Sequence, residues 1–90
     1  MFTFGERLRA WRKAKGYTLY RIQKETGIPQ PNMTGIEKSR RGASPEVKNK
    51  LVAIEGLGLS MDRLTAWERL DKASLEELKI IREELIRLGL

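Results

Sequence analysis

A serine or threonine stands before almost every apolar-periodic stretch of this chain, and a glycine stands after several of them. Thr3, Thr18, Ser44, Ser60 and Ser74 each precede residues whose apolar members recur three or four apart, and Gly16, Gly27 and Gly58 follow such runs. Hydroxyl side chains cap helix N-termini by accepting from the exposed first amides, and glycine ends helices by entering the left-handed region. Punctuation this frequent permits only short helices. The chain is therefore predicted to be all-α, a compact five-helix domain with an additional C-terminal helix.

Thr3 and Glu6 have the spacing of a capping box, and Phe4, Leu8, Trp11 and Ala14 follow on one face. Lys13 and Lys15 suit the end of this first helix, and Gly16 stops it. Thr18 caps a second helix over 19–26, with Ile22 inward and Gly27 at its end. The turn to the next segment is so short that the two helices must cross. Ser44-Pro45-Glu46 starts a fourth helix whose stripe is Val47, Leu51, Ile54 and Leu57, ending before Gly58. Ser60 caps a fifth, carrying Met61, Leu64 and Trp67, and residues 69–73 are either its last turn or a linker. Ser74 and Glu77 form a second capping box ahead of Leu78, Ile81, Leu85 and Leu88, with Lys79–Glu83 and Glu83–Arg87 pairs alongside. Residues 1–70 are read as one domain and 71–90 as a C-terminal amphipathic helix.

The third helix is the costly one. Pro31 disfavours helical geometry at Gln30, so Gln30 is expected as N-cap and Pro31 as the first helical residue. The helix would run over 31–38, with Met33, Ile36 and Glu37 inward and Asn32, Thr34, Gly35 and Ser39 outward. Two turns with an internal glycine do not hold alone, so packing must hold them.

Charge is unevenly placed. The net is +6, but residues 1–50 hold 12 Lys or Arg against 4 Glu, while residues 51–90 hold 6 against 8 acids. A basic first half suggests a polyanion-facing side. The chain has no cysteine and no histidine, which excludes disulfides, zinc sites built on those residues and imidazole bases. Asp62 and Asp71 are the only aspartates, and the scattered glycines match no phosphate loop. No enzyme, metal or cofactor is expected. No apolar run is long enough to span a membrane, and the early charges argue against a signal peptide. A cytoplasmic protein is expected.

Taken in order, FGERLRAWRKAKG at 4–16, GIPQ at 27–30, IEKS at 36–39, SP at 44–45 and GLSMDRL at 58–64 resemble the Cro/C1-type (XRE-like) helix-turn-helix domain of phage and bacterial repressors. The likeness covers about two-thirds of the chain. It departs from the family's usual residues at Leu19, Gln23 and Pro29, and the 39–44 loop is longer than usual. The resemblance implies a lambda-repressor-like fold and sequence-specific binding of double-stranded DNA, with residues 31–38 as recognition helix. Gln30, Pro31, Asn32, Thr34 and Gly35 would face base edges or adjacent backbone, Asn32 reading adenine and Gly35 allowing close approach. Thr18, Arg21, Lys38, Arg40 and Arg41 would hold phosphates, and Arg12 and Glu37 would form a structural ion pair between the first and third helices.

Repressors of this kind pair on palindromic sites, so a homodimer is expected. Leu78, Ile81, Leu85 and Leu88 supply its surface in the reading taken here, or else fold back near Trp67 and Leu70. Control would act through abundance, proteolysis or a regulatory protein partner. The alternative function is a protein-interaction module on the same fold, an antitoxin or partner-binding adaptor.

Overall fold

The computed structural model describes residues 2–72 and 75–89, with every side chain among them except that of Leu75. Helix α1 (Phe4–Ala14) starts where Thr3 and Glu6 cap each other. Thr3 Oγ1 accepts from the Glu6 amide at 3.1 Å, and the Thr3 amide donates back to Glu6 Oε1 at 3.5 Å. Helix α2 (Leu19–Thr26) starts at Thr18 and ends at Gly27, whose φ of 78° needs a residue without a Cβ. Helices α3 (Gln30–Glu37), α4 (Pro45–Val52), α5 (Met61–Lys72) and α6 (Leu75–Leu88) follow. Among the described residues there is no strand, and no helix is long and apolar enough to cross a membrane. The capping box expected at Ser74 lies outside the described residues.

The fourth helix is shorter than its apolar stripe. It stops at Val52, and a 3₁₀ turn over Glu55–Leu57 carries the rest. Leu51, Ile54 and Leu57 are all buried as expected, and Val47 packs against them at the edge. The stripe was legible but its continuity was not. Gly56 and Gly58, two residues apart, give a helix little reason to continue.

Helix α1 lies between α3 on one side and α5 on the other. Leu8 is fully buried at this junction. Trp67 of α5 meets Phe4 and Trp11 edge to face, with ring centroids 6.4 and 5.9 Å apart. Trp11 donates its indole N–H to the Leu57 carbonyl at 2.6 Å, which fixes the 3₁₀ turn against α1. Residues 69–72 are the last turn of α5, not a linker. Asp71 in that turn accepts from the Phe4 amide at 2.7 Å, so a carboxylate satisfies one of the unpaired donors at the start of α1.

Helix α6 takes the second of the two placements open to the last stripe. Leu78 and Ile81 are buried in the same core as Leu8 and Leu64, and Leu85 packs against its edge. Only Leu88 of the four stays exposed, at 62%. The stripe folds back on α5, which it also meets through an Arg69–Glu84 contact at 3.8 Å. Helical periodicity shows that a face is apolar and leaves open what covers it. Here the chain covers it itself.

Ile81→Ala should therefore cost about 2–4 kcal/mol in the monomer, as a cavity in a packed core. Leu88→Ala should change stability by no more than about 0.5 kcal/mol. Urea unfolding at two protein concentrations checks both values; equal costs at the two positions would contradict this packing.

Candidate functional site

Helix α3 begins one residue earlier than expected. The Pro29 carbonyl accepts from both the Asn32 and Met33 amides, at 3.0 and 3.2 Å, so Pro29 is the N-cap. Gln30 is then already helical, and Pro31 sits second. The strain that Pro31 puts on Gln30 is outweighed by what the register buries. Met33 and Ile36 lose nearly all their exposure, worth ~1.5–3 kcal/mol each, against ~1 kcal/mol for the internal glycine.

The other end of α3 is a Schellman turn. The Arg40 amide donates to the Gly35 carbonyl at 2.8 Å and the Ser39 amide to the Ile36 carbonyl at 3.1 Å. This puts Ser39 at a φ of 60°, where a residue with a Cβ is strained by ~1–2 kcal/mol. Its hydroxyl recovers part of that by donating to Thr3 Oγ1 at 2.9 Å. The end of α3 is thereby tied to the start of α1.

Beneath α3, Arg12 and Glu37 meet as the resemblance implied. The guanidinium grips the carboxylate with two parallel bonds, Nε to Oε2 at 2.7 Å and Nη2 to Oε1 at 3.0 Å. Its Nη1 donates to the Tyr17 carbonyl at 2.7 Å, in the turn before α2. Arg12 is 7% exposed and Glu37 5%, so both charges are sealed from water and three segments converge on one side chain. Gly5, two turns earlier on α1, rests directly on the last turn of α3. A Cβ there would overlap the Ile36 carbonyl oxygen and lie 2.6 Å from that of Glu37.

On the outer side, Gln30, Asn32 and Thr34 are half-buried and Pro31 is exposed. Gly35 lies on this side as expected, but it is not open to solvent. It is buried, and what covers it is the side chain of Arg41: a Cβ on Gly35 would lie 3.0 Å from Arg41 Nε. Arg41 is in turn not a free loop cation. Its Nη1 donates to Asn32 Oδ1 at 3.1 Å. The Schellman turn doubles the chain back along α3, a direction that helical spacing does not encode.

An open groove of ≈ 450 Å³ runs beside this face, lined by Arg9, Leu19, Thr34, Lys38 and Ser39 among others. It brings the start of α2 next to the outer side of α3. Thr18 Oγ1 takes the Arg21 amide at 3.1 Å, and the amides of Leu19 and Tyr20 stand at the helix end, where anions are favoured. Lys38 and Arg40 are exposed. Arg21 does not line this groove: its guanidinium stacks 4.0 Å over the Tyr17 ring and reaches Glu25 at 3.7 Å. Arg9, which the sequence reading missed, does line it. The signal was available, since Gly5, Arg9 and Arg12 share one helical stripe and the flanking two meet α3.

Among the described residues, no group of three or more His, Cys, Asp or Glu is placed to hold a metal ion.

The α1–α3 junction should dominate stability. Glu37→Ala leaves a buried guanidinium unpaired and should cost about 3–5 kcal/mol, whereas the double change Arg12→Met, Glu37→Leu should recover most of it. Chemical unfolding of the three proteins checks this, and a double variant no better than the single one would count against it. Gly5→Ala should cost about 2–3 kcal/mol, because the contact is with backbone that cannot turn aside. A thermal melt unchanged by that substitution would show that the helices can separate freely.

Compared with protein families, curated proteins and solved structures, the chain matches none.

Proposed function

We propose that this chain is a sequence-specific double-stranded DNA-binding module of the Cro/C1 helix-turn-helix kind with a lambda-repressor-like fold, a cytoplasmic repressor acting as a homodimer on a palindromic operator. The observation that carries this reading is the shared groove: the amide end of α2 and the outer side of α3 border one open surface, with Arg9 and Lys38 in its walls. Two crossed helices can address a duplex in this way, one set against the phosphates and one entering the major groove. The excess of Lys and Arg in residues 1–50 supports it, since phosphate neutralisation supplies much of such affinity. So does the bracing of α3, whose underside is fixed by Arg12 and Gly5, because a reading helix must hold its register to discriminate bases.

A single module reads few base pairs, so two copies one helical turn apart are part of the proposal. With Leu78 and Ile81 spent inside the chain, the large apolar side chains of α6 that stand exposed among the described residues are Ile80, Ile86 and Leu88. A second reading, the same scaffold holding a protein partner, is favoured by a wider groove of ≈ 690 Å³ along α1 and α5, where Trp11 and Trp67 form the floor and Phe2 stands exposed.

Selection of bound duplexes from a random pool at physiological salt separates the two. The expected result is enrichment of a palindrome, with Arg40→Ala lowering the salt dependence of binding by about one unit and weakening all sequences alike. A pool that stays random favours the protein partner.

A further inference from the structure

We infer that Arg41, from the loop after α3, is the principal base-reading side chain of this surface and that the base it takes is guanine. The inference rests on the DNA-binding reading and changes the part each residue plays in it. Arg41 was expected at a phosphate because it lies outside the helix. The fold returns it to the helix instead. The left-handed Ser39 reverses the chain, and the Arg40 amide is held by the Gly35 carbonyl. From there the Arg41 stem crosses the bare backbone of Gly35, and its guanidinium ends at Asn32, one turn nearer the start of α3.

The first turn of a reading helix is the part that approaches base edges. An arginine delivered there, with one N–H held by Asn32 Oδ1 and the others unclaimed among the described residues, presents the planar donor pair that matches O6 and N7 of guanine. Asn32 is changed in the same step. Its Oδ1 is turned to Arg41, so it does not offer adenine the paired acceptor and donor that an amide reader needs; it orients the arginine. Gly35 acquires a reason as well. A Cβ at that position would lie 3.0 Å from Arg41 Nε and 3.4 Å from its Cγ and Cδ, so the absence of a side chain lets the arginine lie flat against the helix. Lys38 and Arg40, both exposed, remain for the phosphates.

The test uses the full chain and a duplex from the selection, with each guanine replaced in turn by 7-deazaguanine, which lacks only the N7 acceptor. The wild type should lose roughly fivefold or more in affinity at one guanine per half-site. Arg41→Ala should bind the natural and substituted duplexes equally, and Arg41→Lys should not restore the difference. Because Arg41 is exposed, far-ultraviolet circular dichroism should show these proteins folded. If Arg41→Ala weakens every duplex by one factor and keeps the guanine effect, Arg41 is a phosphate contact and the inference is overturned. If the wild type enriches no sequence at all, the DNA-binding reading fails first, and this one with it.

Discussion

The position of α3 is set by a single buried charge pair. Arg12 and Glu37 lie at the crossing of α1 and α3 with almost no contact with water, and the third arm of the guanidinium holds the Tyr17 carbonyl. Desolvating two charges is expensive, so such a pair contributes little net stability compared with an apolar one. What it supplies is geometry. A planar fork with all three nitrogens engaged admits one relative placement of α1, α3 and the turn into α2. Apolar contacts at Met33 and Ile36 would tolerate a slide of either helix; this pair does not.

Much of the helix pattern was legible because caps and periodicity are local. Thr3 with Glu6, and Thr18, Ser44 and Ser60, cap the helices they were read to cap. Buried positions such as Leu8, Ile22, Met33 and Leu64 follow from spacing alone. Spacing failed where a second element decides. Leu78 and Ile81 are apolar whether they meet a second chain or α5. Gly35 sits on the outer side of α3 by helical geometry, yet the chain's own return buries it. Gln30 entered the helix because two amides needed the Pro29 carbonyl, a demand that the proline after it does not reveal.

The candidate surface was legible in the same uneven way. Lys38 and Arg40 are exposed as expected, because short-range charge in a polar loop is easily read. Arg21 lies along α2 between Tyr17 and Glu25, four residues to either side, and its guanidinium engages both rather than lining the groove. Arg9 went unnoticed because nothing at position 9 announces a groove until α3 is laid beside it. Both cases have one cause: which way a long cation points is settled by what lies within its reach, several angstroms from its own backbone.

The tie between Asp71 and the Phe4 amide has a dynamic consequence. Helix ends ordinarily fray alone, in small openings that leave the rest of a protein intact. Here the first turn of α1 is held from one direction by the last turn of α5 and from another by the hydroxyl of Ser39. Fraying at residues 3 and 4 therefore costs contacts with α5 and with the turn after α3 as well as those of the helix end itself. Amide exchange near Phe4 is thus tied to two segments distant in sequence.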